Sequence, residues 1–235
     1  MKVIFTGPSL PDAADFAADD VRIAPPAIQG DVLKAVLQGT TVIGLIDGGF
    51  EYTAPVWHKE ILFALSQGLT VFGGSSMGAL RAAECEAYGM IGVGEIFRGY
   101  QSGALIDDAD VALLHAPPEL GGGALTLPMV NIRATLNALS RSGKLRPEEA
   151  ERLIAAASAI HFKERTWRRI FSGCDTATMP GDAETLAAAH YIDQKRLDAI
   201  ELVALLNAAA DKTGAFPQEW AFHETTLWAE MKRRL

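Results

Sequence analysis

The chain has 235 residues, with 21 Lys and Arg against 29 Asp and Glu, a net charge of −8, and 49% hydrophobic residues. That apolar content excludes a disordered chain, and the acidic balance argues against a free-standing nucleic-acid binder, which needs surplus Lys and Arg to meet phosphates. The length suits one large domain or a domain with an appended part, and the two cysteines, Cys85 and Cys174, are too few for a disulfide scaffold or a four-cysteine zinc site.

The first element expected is a buried strand over Lys2–Thr6, ended by Gly7 and Pro8. This apolar start is too short for a signal-peptide core, and no later run approaches the roughly 20 residues that span a bilayer. A cytoplasmic protein with no membrane contact is therefore expected, with both thiols free. Further apolar runs at Val21–Ala24, Thr41–Ile46, Leu69–Phe72 and Val111–His115, bounded by Gly and Pro, read as strands buried on both faces. Between them, helices are expected at about 28–37, 56–67, 77–88 and 92–101. This alternation predicts an α/β fold: a Rossmann-like, mostly parallel sheet flanked by helices. From Pro128 onward strand signals fade, and a mainly α-helical C-terminal part of four or five helices follows. Pro147 opens one helix ahead of two acids, Asp182 caps another, and Gly143, Gly173 and Gly214 fall near helix ends. The expected division is 1–128 for the sheet-bearing core and 129–235 for the helical region.

In open α/β sheets ligands bind outside the carboxyl ends of the strands. The loops there are glycine-rich and polar: Thr6–Ser9, Asp47–Glu51 and Gly73–Gly78. Gly74-Ser75-Ser76-Met77-Gly78 fits G-x-S-x-G between a strand and a helix, the setting of a nucleophile elbow. Ser76 is the candidate nucleophile, with the Met77 N–H as an oxyanion donor; an anion-binding helix N-terminus is the competing reading. A serine nucleophile needs a base and an orienting acid. His58, near Asp47 and Glu51, is the first candidate base, Asp47 the orienter, and His115 the second choice. Arg81 is a candidate to hold an anionic group, as are Arg133 and Lys59. No GxGxxG follows the first strand, no phosphate-binding GxxxxGK[ST] occurs, and no His/Cys/Asp cluster has metal spacing, so no cofactor or metal is expected.

The run IGLIDGGFEYTAPVWHKEILFALSQGLTVFGGSSMGALRAAECEAYGMIGVGEIF, followed by LPMVNIRATL, resembles the TfuA-like core domain family over roughly Val3–Leu136. By position, Asp47, Gly48 and Phe50 match its DGxF corner, Trp57–Glu60 its WHKE segment, Ser76–Glu84 its SMGALRAAE segment, and Met129, Asn131 and Arg133 a later segment. Gly49 and Ser75 depart from the expected pattern, and Ser75 sets a second hydroxyl beside Ser76. The resemblance implies sulfur delivery in ATP-dependent peptide-backbone thioamidation by a YcaO-type partner, with sulfide released from a thiocarboxylated, ubiquitin-like carrier protein. It agrees with the site read from the residues, Ser76, His58 and Asp47, with Gly48, Lys59, Met77, Gly78, Arg81, Asn131 and Arg133 expected around the substrate. Two routes stay open: Ser76 attacks the carrier, or His58 activates water while Ser76 and Arg81 hold the carrier terminus. The alternative function is a docking module for the YcaO partner, with Trp167, Trp220, Phe222 and Trp228 as anchors. An unrelated esterase is a third reading.

Overall fold

The computed structural model describes residues 1–49, 51–116, 123–176, 179–215 and 220–234. In chain order its elements are β1 (Lys2–Phe5), β2 (Val21–Ala24), α1 (Asp31–Leu37), β3 (Val42–Leu45), α2 (His58–Ser66), β4 (Thr70–Gly74), α3 (Met77–Cys85), β5 (Ile91–Val93) and α4 (Gly94–Gln101). Six helices follow: α5 (Met129–Arg141), α6 (Pro147–Ser158), α7 (Trp167–Ser172), α8 (Ala183–Ala189), α9 (Gln194–Ala208) and α10 (Thr226–Arg234). The chain forms two compact units, Met1–Leu105 with Arg196–Leu235, and Ile106–Lys195.

The first unit holds a five-stranded, all-parallel sheet in the order β2-β1-β3-β4-β5. The expected α/β class is therefore correct. β1 and β3 are buried along their whole length, as strands covered on both faces must be. One face is closed by α9: Ala199, Leu202, Val203 and Leu206 pack with Ile4, Val42, Ile46, Phe72 and Val93. Gly44 makes room for that helix, since a Cβ there would lie 2.8 Å from Leu206 and 2.9 Å from Leu202. Polar ties fasten α9 to the β1–β2 link. Arg196 pairs with Asp12 at 2.6 and 2.7 Å, and Asn207 bonds Phe16 and Ala18. Asp198, 1% exposed, accepts from the Ile96 N–H and so caps α4 from a distant part of the chain.

One expected strand is corrected. Val111–His115 is not in the sheet; among the described residues its ladder contact is a bridge from His115 to Ala124. The fifth strand is Ile91–Val93, paired with Phe72–Gly74. A three-residue edge strand interleaved with glycines shows no alternation to read, whereas the longer apolar run at 111–115 imitates one. The second unit is helical among its described residues. Its core joins α5 (Met129, Ile132, Leu136), α6 (Leu153, Ala157), α7 (Ile170, Phe171) and α8 (Ala183, Ala187). Pro147 opens α6 as expected, and Gly143 takes the left-handed conformation (φ 71°) two residues after α5 ends. Asp182 holds the N-cap position of α8 but makes no side-chain cap bond. No helix among the described residues is long and apolar enough to cross a membrane.

Candidate functional site

In this strand order the chain reverses direction between β1 and β3, which is where a doubly wound sheet opens a ligand crevice. Here that position is filled from within. Asp47, at the end of β3, accepts from the Gly7 N–H (2.8 Å), the Ser9 N–H (3.0 Å) and the Ser9 hydroxyl (2.6 Å). The amides that would cradle a phosphate hold a carboxylate of the chain itself. Asp47 is 4% exposed and makes no bond to His58, so its observed partners are those of a loop clamp, not of an orienting acid.

The open cleft lies one strand over. It is narrow, with a cavity volume of about 10 Å³, and is bounded by Ala27, Leu45, Asp47, Gly48, Gly49, Pro55, Val56, Met77, Gly78 and Arg81. Helix α3 comes very close to β3 because its second residue is glycine: a Cβ on Gly78 would lie 1.8 Å from the Leu45 carbonyl oxygen. The Gly78 N–H instead donates to the Ile46 carbonyl at 3.1 Å. Arg81, 9% exposed, is the cation of this cleft. Its Nε donates to the Val56 carbonyl (3.1 Å) and its Nη1 to Glu84 Oε2 (2.5 Å). The same oxygen lies 2.7 Å from His58 Nε2. Burial pushes the Glu84 carboxyl up, but the His58 hydrogen bond and the Arg81 charge outweigh it and hold Glu84 below its ordinary value.

Five of the sequence candidates thus meet around one cleft: Asp47, Gly48, Met77, Gly78 and Arg81. His58 joins them through Glu84, a residue the spacing did not mark for this task. Ser76 and His58 share no hydrogen bond among the described residues. His58 bonds Glu84, eight residues beyond Ser76 and so about 12 Å further along the helix. Ser76 is 5% exposed and its hydroxyl makes no hydrogen bond among the described residues. The strained corner of the turn is Ser75 (φ 67°), fully buried, its hydroxyl without a partner. Nothing in Gly-Ser-Ser tells which serine takes that conformation.

The remaining candidates have other surroundings. Lys59 lies over the Phe222 ring at 5.1 Å. Glu60 of the same segment is fully buried and accepts from the N–H groups of Gly30 (2.9 Å), Leu33 (3.1 Å) and Trp57 (3.2 Å), tying the starts of α1 and α2 together. His115, Asn131 and Arg133 belong to the second unit. There, Asn131 bonds Tyr191 (2.6 Å), Asp193 (2.9 Å) and the Lys195 N–H (3.1 Å), a fully engaged buried amide. The Arg133 Nε is buried without a partner, and His115 Nδ1 sits 3.0 Å from the Ala116 carbonyl. Cys85 is buried, and burial and then the Glu84 charge push its thiol up to about 11, which leaves almost no thiolate at neutral pH. Phe50 lies outside the described residues. Of the expected anchors, Trp228 is fully buried against Phe63 and Phe222, so its ring is held inside the first unit.

Fold and site together define a doubly wound α/β protein whose narrow cleft, at the carboxyl ends of β3 and β4, presents a buried arginine coupled to a histidine through a shared carboxylate. Residues 47–166, just over half of the chain, match the family described as TfuA-like protein, and the chain belongs to that family. No curated protein matches it.

Proposed function

We propose that this protein delivers sulfur for ATP-dependent peptide-backbone thioamidation by a YcaO-type partner, and that it does so by hydrolysing a thiocarboxylated carrier protein. Membership of the TfuA-like family suggests a role associated with YcaO-type thioamidation. The observation that carries the hydrolytic reading is the buried Arg81 at the cleft, joined through Glu84 to His58. A thiocarboxylate is an anion, and its charge resists a nucleophile. Arg81 beside it offsets that charge where water is scarce. His58 takes a proton from water as the oxygen adds to the carbonyl carbon. The carbon–sulfur bond then breaks. The products are the carrier carboxylate, hydrosulfide and one proton, so atoms and charge balance. His58 is bonded to Glu84 and not to Ser76, which favours this water route over a covalent serine intermediate. Met77 and Gly78, at the start of α3, line the cleft where the carrier terminus is held, with Gly48 facing them. A cytoplasmic setting, where the carrier and the YcaO partner are at hand, completes the proposal.

The test incubates the protein with thiocarboxylated carrier and follows the thiocarboxylate by mass spectrometry. The wild type is expected to release sulfide, and His58→Ala and Arg81→Ala to be slower by about 100-fold or more. Ser76→Ala keeps most of the rate on the water route and loses as much as His58→Ala on the covalent route. A wild-type protein that leaves the thiocarboxylate intact refutes hydrolysis and returns the docking alternative.

A further inference from the structure

Glu84 stands out because one of its oxygens serves two cationic partners. Oε2 lies 2.7 Å from His58 Nε2 and 2.5 Å from Arg81 Nη1. Arg81 cannot turn away, since its Nε is bonded to the Val56 carbonyl and the residue is 9% exposed. His58 is pinned by Nε2, and its Nδ1 has no partner among the described residues. The other charges near the start of α2 are engaged elsewhere. Lys59 lies over Phe222, and Glu60 is buried on backbone N–H groups. On α1, Asp31 accepts from the Ile28 N–H, and on α10, Lys232 lies over Phe63 and pairs with Glu224.

We propose that Glu84 is the positioning residue of this site: its Oε2 holds the imidazole by Nε2–H, so that Nδ1 is the atom that takes the proton, and couples that event to Arg81. With a neutral imidazole, the Arg81–Glu84–His58 trio carries no net charge. When Nδ1 takes a proton the trio carries one positive charge, next to the cleft in which an attacked thiocarboxylate gains negative charge. Glu84 itself touches no substrate. As a step in carrier hydrolysis this inference rests on the proposed function, but the state of the imidazole can be read without any reaction.

Two measurements test it. The first follows the His58 ring nitrogens of the whole protein by NMR across pH. The neutral wild-type ring is expected to carry its proton on Nε2, held there by the Glu84 carboxylate, and to lose that preference in Glu84→Gln, whose side-chain amide can donate as well as accept. A neutral wild-type ring protonated on Nδ1, or an unchanged preference for Nε2 in a folded Glu84→Gln, overturns the proposal. If that variant does not fold, the wild-type ring pattern decides alone. The second compares hydrolysis in Glu84→Gln, Glu84→Asp and wild type. The expected result is a kcat at least about tenfold lower in Glu84→Gln with KM little changed, and partial recovery in Glu84→Asp. A wild-type kcat in Glu84→Gln, with His58→Ala inactive, overturns the positioning role and leaves hydrolysis standing. An inactive wild type with the expected ring tautomer refutes hydrolysis and leaves the Glu84–His58 coupling standing.

Discussion

Glu60 and Glu84 depart from the same ordinary carboxyl value in opposite directions. Burial raises Glu60 and outweighs its hydrogen bonds from Gly30, Leu33 and Trp57, with the nearby Asp31 adding to the rise. The folded chain therefore binds that proton more tightly than the unfolded chain. Its ionisation costs stability as pH rises from the unfolded value of 4.5 through the higher folded one. Glu84 is lowered despite its burial, because His58 and Arg81 favour the charged form. Its contribution is present above 4.5 and is lost as pH falls through the folded value. Urea midpoints measured between about pH 3 and about pH 7 check this. Glu84→Gln is expected to lose less stability than wild type on acidification, and Glu60→Gln to lose less on going from acid toward neutral pH.

Among the elements, α3 is the one whose placement makes the site. Its first turn meets the end of β3 with no space for a side chain at Gly78, where the nearest atom is a backbone oxygen that cannot swing aside. Gly78→Ala is expected to lower stability by roughly 1–3 kcal/mol, and to weaken carrier hydrolysis by moving Met77 and Arg81. Thermal melts and the mass-spectrometric assay read the two effects separately. The segment SMGALRAAE thus holds two kinds of information. Gly78 sets how closely the helix lies, while Arg81 and Glu84, three residues apart, share one helix face. That second relation follows from helical spacing alone. The contact with His58 does not, because the pairing runs between helices 26 residues apart in sequence. Asp198 makes the same point at α4, whose cap comes from α9, 102 residues further along the chain from Ile96.

At the scale of the whole molecule, the chain leaves the first unit after Leu105 and re-enters it at Arg196. The returning segment is structural: Ala199, Leu202, Val203 and Leu206 are each fully buried against the sheet, and Trp228 fills the space between Leu33 and Phe63. A chain shortened at Lys195 is therefore expected to lose the cooperative melt of the sheet and to expose Ile4, Val42 and Phe72, as judged by circular dichroism and dye binding. A natively folded, soluble sheet in the shortened chain would refute that dependence. The net charge of −8 is not reversed at the cleft, whose lining holds the Asp47 carboxylate beside Arg81, itself paired with Glu84.

By itself the sequence determined the α/β class, four of the five strands, the glycine-rich loops at the carboxyl ends of the strands and the family, because each is written in local spacing or in a contiguous motif. It also marked five residues that line the cleft, Asp47, Gly48, Met77, Gly78 and Arg81, which sit at a strand end and one helix start. Only the tertiary structure decided which acid meets His58, that Asp47 closes the β1–β3 crevice, that the edge strand is Ile91–Val93, and that α9 covers the sheet. Those are contacts between segments far apart in the chain, set by packing and by the need of each buried polar group for a partner, and no local pattern records them.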